Sequence, residues 1–174
     1  MEYSTNPWDR LKRVPRLLVT SDDLVDGATL PLRQISPLAG GGGIAPHLAW
    51  EPAAGAIDSY AVTCFDADAP SVSGFWHWIV VNVPSTITEL RPAGSGAGTG
   101  GELLNDAREP GYLGAYPDTG DKPHRYIFTV HALEPLDYPL SPDTPPGLAA
   151  ILIERATVSR GHLTAYFGRP GEGS

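Results

Sequence analysis

Three stretches of the chain are apolar without a helical rhythm. Ser59–Phe65 (SYAVTCF), Trp76–Val83 (WHWIVVNV) and Arg125–Leu133 (RYIFTVHAL) are crowded with β-branched and aromatic residues. Such side chains pack well on a pleated surface and lose rotamer freedom in a helix, so each run predicts a strand. Leu17–Thr20 and His47–Trp50 predict weaker strands. One segment has helical spacing: Thr144 stands at an N-cap and Pro145 at the first helical position. Leu148, Ile151, Leu152 and Arg155 then recur every three to four residues through Gly147–Thr157. Glycine- and proline-rich stretches at Gly40–Gly43, Pro92–Gly101 and Glu134–Pro146 read as loops inside one unit, because none separates two self-sufficient halves. Many strands with few helices predict a single, mainly β domain over 1–174: a β-sandwich or barrel with a few peripheral helices.

The same alternation places polar residues. Along an extended strand side chains point to opposite faces. Val62, Cys64, Asp66 and Asp68 then share one face, His77 joins Ile79 and Val81, and His124 and Tyr126 join Phe128 and Val130. Both carboxylates lie at the end of one strand and both histidines at the start of others. An antiparallel return between 65 and 76 brings Asp66 and His77 to one rim, and a third strand running with the second adds His124 and Tyr126. Imidazoles and a phenol are hydrogen-bond donors, and a neighbouring carboxylate fixes the tautomer and raises the pKa of a histidine. The Gly111–Gly114 backbone, lacking Cβ atoms at its ends, is expected to approach a ligand closely, and Pro117 to stiffen the loop wall. Such a mouth suits a small oxyanion, such as a phosphate ester. Each part alone has a simpler reading. Asp-Ala-Asp-Ala-Pro is a turn, a lone histidine is a satisfied polar residue, Trp76 and Trp78 are packing groups, and Cys64 is a small hydrophobe.

Composition narrows the partners. With 12 Lys+Arg against 20 Asp+Glu the net charge is −8, which opposes binding to nucleic acids and broad adhesion to anionic membranes. An anionic ligand therefore needs a local pocket. With one cysteine no intramolecular disulfide forms, which fits a reducing compartment. No apolar run reaches the roughly 18–20 residues of a membrane span, so stable membrane insertion is not expected. Met1–Arg13 lacks the apolar core of a signal peptide, so a cytoplasmic location is expected.

Two compound motifs carry a resemblance. Asp66-Ala67-Asp68-Ala69-Pro70 followed by Trp76-His77-Trp78-Ile79-Val80-Val81-Asn82 is one. Gly111-Tyr112-Leu113-Gly114-Ala115-Tyr116-Pro117-Asp118, Gly120 and then His124-Arg125-Tyr126-Ile127-Phe128 is the other. With Ala45-Pro46-His47-Leu48-Ala49-Trp50 and Asn105-Asp106 upstream of the second, they resemble the phosphatidylethanolamine-binding, or Raf kinase inhibitor, protein family in its bacterial and archaeal branch. The likeness runs from Asp22 to Leu133. It departs at Ala67 and at Ala115 and Asp118, where the family motifs carry proline, and Asp118 adds a negative charge expected to weaken anion binding.

The resemblance implies a large central antiparallel sheet packed on a smaller one. It implies an anion pocket lined by Asp66, His77, Gly114, Pro117, His124 and Tyr126, supported by Asp68, Pro70, Trp78 and Tyr112, with a cis Ala69–Pro70 bond. It implies a phosphate-containing small ligand or phospholipid head group, a kinase or protease as protein partner, and a homodimer. No organic cofactor and no metal are expected. Asp66, Asp68, His77 and His124 are ligand types, but no short-range His-x-His or His-x-x-x-His spacing accompanies them. Two alternatives stay open: a hydrolase using a carboxylate–histidine general base, although no Gly-x-Ser-x-Gly elbow exists, and a pocket-gated protein-interaction module. If a protonated imidazole holds the anion, affinity falls as pH rises through the histidine pKa values.

Overall fold

The computed structural model describes residues 6–92 and 100–171. Residues 93–99, the middle of the expected Pro92–Gly101 loop, lie outside that range. Among the described residues the elements run β1 (Val19–Thr20), β2 (Leu48–Trp50), β3 (Ser59–Asp66), β4 (Phe75–Pro84), β5 (Glu89–Leu90), β6 (Gly101–Glu102), β7 (His124–Leu133), α1 (Pro146–Ala156) and β8 (Thr157–Phe167). Short 3₁₀ turns lie at Pro7–Arg10, before β1, and at Leu32–Gln34 and Pro37–Ala39, between β1 and β2. The strands form an antiparallel three-stranded sheet, β1-β2-β5, and an antiparallel five-stranded sheet, β6-β4-β3-β7-β8.

Every residue of β3 and β7 is buried, which explains why their sequences read as continuous apolar runs. One face of the large sheet meets the small sheet through Tyr60, Val62, Cys64, Phe128 and Val130 against Val19, Leu48, Trp50 and Leu90. The other face carries Ala61, Ile79, Val81 and Leu133 under α1. The helix begins one residue later than expected, and of the expected spacing only Leu152 is buried, in a stripe with Ala149, Ile153 and Ala156. Leu148 and Ile151 are exposed, at 49% and 58%. The side chain of Thr144 instead accepts from the Ser141 N–H at 2.9 Å, outside the helix.

The pattern of the chain gave no expectation for β8. Its buried positions are Thr157, Ser159, Gly161, Leu163 and Ala165, so burial alternates while hydrophobicity hardly does. Gly161 is small for a reason: a Cβ there would stand 1.9 Å from the Leu17 carbonyl oxygen, where residues 16–17 run beside the strand. Gly161→Ala is expected to destabilise the fold by about 2–3 kcal/mol, as overpacking does, and urea unfolding reads it as a lower midpoint at unchanged slope.

Two β-bulges adjust β4 against β3. One holds Asn82 at φ +56°, a left-handed conformation that asparagine tolerates. The other lies beside His77: Cys64 pairs with Trp78 and Phe65 with Trp76, leaving His77 as the additional residue.

Candidate functional site

β3 runs antiparallel to both β4 and β7, so the end of β3 and the starts of the other two share one rim. Asp66 pairs across to Phe75 on one side and Tyr126 on the other. The bulge corrects the face expected for His77. Strict alternation groups it with Ile79 and Val81, which pack under α1. The additional residue turns His77 to the Asp66 face, its ring 5.2 Å from that of Tyr126 in an edge-on arrangement. His124 and Tyr126 share a face with Phe128 and Val130, as alternation requires.

A cavity of about 310 Å³ opens at this rim. Of the expected pocket residues, Asp66, His77, Gly114, Pro117, His124 and Tyr126 all line it, and Pro70 joins them. Asp68, Trp78 and Tyr112 do not. Asp68 accepts the Arg125 N–H at 3.0 Å and Nε at 2.7 Å, and Lys122 Nζ at 3.0 Å. Burial pushes its carboxyl up, but these bonds outweigh burial and hold it below the usual carboxylate range. Trp78 and Tyr112 brace the wall from below, edge to face at 6.0 Å, with Trp78 Nε1 donating to Glu102 Oε1 and the Tyr112 hydroxyl to the Gln34 carbonyl.

The two imidazoles are held differently. His124 Nδ1 donates to Asp66 Oδ2 at 2.7 Å, and its Nε2 lies 3.5 Å from Asp121 Oδ2. The Asp66 hydrogen bond raises the His124 pKa above its ordinary value despite burial. His77 Nδ1 donates to the Leu113 carbonyl at 2.8 Å. Burial lowers its pKa, outweighing that bond and the nearby carboxylates. One histidine therefore favours the cation and the other the neutral tautomer, whose Nε2 is an acceptor. The Tyr126 hydroxyl is buried with no hydrogen-bond partner, and desolvation, then Asp66, pushes its pKa up, so it stays a donor. Cys64 is fully buried beneath Asp66 with its thiol pushed up by desolvation, which makes it inert as a nucleophile.

The opposite wall is sewn to His77. Leu113 N–H donates to the His77 carbonyl at 2.9 Å, and buried Asn105 accepts the N–H groups of Ala107 and Glu109 while donating to the Gly111 carbonyl. Gly114 serves packing rather than ligand approach: a Cβ would come within 2.6 Å of the Ser36 backbone nitrogen. Arg169 stacks over Tyr116 at 4.4 Å and donates to the Pro117 carbonyl at 3.3 Å, clamping this wall to the C-terminal segment.

The Ala69–Pro70 bond is trans, as are all peptide bonds among the described residues, which corrects the cis expectation. Ser71 N–H donates back to the Ala69 carbonyl at 2.6 Å, so the chain turns tightly about Pro70, whose fixed φ suits a three-residue turn. Two departures from the family motifs have a shared explanation. Ala67 N–H donates to the Arg125 carbonyl at 3.2 Å and Ala115 N–H to the Gln34 carbonyl at 3.3 Å, bonds that a proline has no hydrogen to make.

Sequence reasoning did not anticipate Ser36, Leu38, Phe75, Leu113 or Tyr116 in the wall, nor Asp121 at His124. Asp121, three residues before His124, was the one within reach of a local argument.

Residues 20–168 match the profile of the family described as phosphatidylethanolamine-binding protein. The chain is 45% identical over 122 residues to the UPF0098 protein YbhB of Escherichia coli K12, an alignment covering 66% of this chain and 76% of that protein. It is 34% identical over 158 residues to YbcL of the same organism, covering 86% of each. The crystal structure of E. coli YbcL, described as a new member of the mammalian PEBP family, superposes with a TM-score of 0.81 at 33% identity over 88% of this chain and 98% of YbcL. A Chlamydia trachomatis homologue, CT736, shares the fold, with a TM-score of 0.72 at 23% identity over 88% of this chain and 98% of its own. The two-sheet architecture, the match over 149 of 174 residues and these relatives agree: this chain belongs to the phosphatidylethanolamine-binding protein family.

Proposed function

We propose that the protein binds a small phosphate ester of the phosphoethanolamine type in the cavity at the rim of β3, β4 and β7. The observation that carries this reading is the Asp66–His124 pair at 2.7 Å facing a cavity that also holds His77 and an unpartnered Tyr126 hydroxyl. Protonated His124 presents Nε2–H as a charge-assisted donor, with Asp121, 43% exposed at its side chain, swinging aside to admit the phosphate. Tyr126 offers a second donor. The neutral His77 accepts a hydrogen bond at Nε2 from an ammonium or hydroxyl group of the ligand, so the pocket discriminates a mixed donor–acceptor ligand from a bare anion.

Asp118 at the wall adds to this preference: it repels a dianion and attracts the ammonium of a zwitterion. Asp118→Asn is expected to tighten binding of inorganic phosphate by about two- to fivefold, the scale of an exposed charge, while phosphoethanolamine gains less. Calorimetric titration of the two ligands against both chains checks the sign. The same experiment on the unmodified protein tests the function itself. Saturable 1:1 phosphoethanolamine binding that vanishes in His124→Gln supports the proposal, and no heat at millimolar ligand overturns it.

A protein partner that docks over the same mouth is a second reading. Leu38 and Tyr116, 78% and 44% exposed, flank the cavity as apolar footholds. A kinase or protease partner bound this way is released by saturating phosphoethanolamine. One that stays bound is not gated by the pocket.

A further inference from the structure

We propose that a second cavity, on the helix side of the large sheet, binds a small neutral aromatic molecule carrying one hydrogen-bond donor, a hydroxyl or N–H. It lies on the sheet face opposite His77 and His124 and does not depend on the reading of that site. Its volume is about 530 Å³, larger than the rim cavity and within the range of small-molecule sites. Its walls are aromatic. Trp8 from the N-terminal 3₁₀ turn lies 6.1 Å from Phe65 and 6.3 Å from Trp76, and those two are 4.5 Å apart, so a flat ring meets ring faces and edges on several sides.

The floor holds polar groups that the chain itself does not satisfy. Thr63, 1% exposed in the middle of β3, has a buried hydroxyl with no hydrogen-bond partner. Packing does not call for a hydroxyl there, since valine has the same shape. His131 lines the same cavity from β7, one register step along from the Thr129 that pairs with Thr63. The Thr157 hydroxyl donates to the Ile153 carbonyl at 2.7 Å, so its oxygen accepts from His131 Nδ1–H at 3.1 Å. That fixes the tautomer and leaves His131 Nε2 as a lone-pair acceptor. Burial pushes the ring's pKa down to about 3, so it stays neutral across ordinary pH. Oε2 of Glu154, at the edge of the cavity, is a further buried acceptor without a partner.

These groups select the ligand. Acceptors in an apolar chamber are satisfied by a ligand that brings a proton, and a saturated or purely hydrocarbon occupant leaves them unpaired. An anion meets the unshared lone pairs inside, and a cation must pass Arg10 and Arg155 at the mouth. A neutral phenol-like or indole-like molecule avoids both penalties.

Equilibrium dialysis of 2-naphthol against naphthalene, which share a ring system and differ by one hydroxyl, tests this. The expected result is one 2-naphthol per chain, held about five- to tenfold more tightly than naphthalene, the worth of one net hydrogen bond. Thr63→Val should narrow that preference without loss of stability, because it removes an unpaired buried hydroxyl and leaves His131 Nε2 to accept from the ligand. Ala150→Trp, which fills the chamber from α1, should abolish both while leaving phosphoethanolamine binding unchanged. Ile151→Trp serves the same purpose if the first variant does not fold. No saturable 2-naphthol binding up to about 1 mM overturns the proposal. So does equal affinity for the two probes, the mark of a merely greasy surface suited to an acyl chain, or loss of binding in His77→Ala, which places the probe in the rim cavity.

Discussion

Asp66→Asn is expected to weaken phosphate-ester binding by about 10- to 100-fold near neutral pH while leaving the protein folded. The amide keeps an oxygen for the Asp68 N–H, which Asp66 Oδ1 accepts at 2.8 Å, so the local turn survives. What changes is the group facing His124. The carboxylate oxygen at 2.7 Å accepts Nδ1–H and stabilises the imidazolium. An amide N–H in its place requires Nδ1 to accept, and the ring then carries its single proton on Nε2 and no charge. The ligand loses a charge-assisted bond and retains a neutral one. The pH profile separates this from a simple loss of shape. In the unmodified protein the His124 pKa is raised, so affinity holds through pH 6.5 and falls as pH rises through the elevated value. In Asp66→Asn the fall moves to lower pH. The same sign applies to stability: the His124–Asp66 pair stabilises the fold fully below the unfolded histidine pKa, and that contribution disappears as pH rises through the folded one. Calorimetry from pH 5 to 9 reads the affinity and thermal melts read the stability.

Arg125→Met is expected to cost stability rather than specificity, about 3–5 kcal/mol. Arg125 and Asp68 side chains are 8% and 3% exposed, and Arg125 meets the carboxylate through Nε at 2.7 Å and its terminal nitrogen at 3.0 Å. Removing the guanidinium leaves a buried carboxylate with Lys122 and one backbone N–H, in the breaking-one-partner situation that is the costly one. Because the Asp68 pKa is depressed, its contribution is present above the unfolded carboxyl pKa and is lost as pH falls through the folded value. The variant should therefore lose most at neutral pH and converge on the unmodified protein in acid. Urea unfolding at pH 7 and pH 3 shows this as a gap that narrows.

How much of this was readable before folding depended on how local each cause was. β3 and β7 announced themselves because both their faces are buried, and β4 because its middle, His77–Val81, is buried on both faces, so most of these positions are apolar. β8 stayed silent because three of its five buried positions are Thr157, Ser159 and Gly161, the last fitted to the Leu17 carbonyl, which lies far away in sequence. The convergence of Asp66, His77, His124 and Tyr126 followed from strand direction alone, but the face of His77 did not. A bulge adds a residue without any change in the hydrophobic pattern, and only the pairing of Trp76 and Trp78 with β3 reveals it. The helix was found but, Leu152 aside, its buried stripe was not, since Leu148 and Ile151 are as apolar as the residues that pack. The cis bond expected at Ala69–Pro70 was a property of the motif, whereas this chain closes the turn with a trans bond and the Ser71 N–H.

An anion that acts through His124, in a cavity whose two histidines hold opposite protonation preferences, leaves its mark on both rings. Imidazole resonances followed by NMR from pH 4 to 9, with and without phosphoethanolamine, test this directly. His124 is expected to titrate above an ordinary histidine and His77 below it, and the ligand to move His124 further upward. His77 titrating above His124, or neither ring shifting when the ligand is saturating, would contradict this.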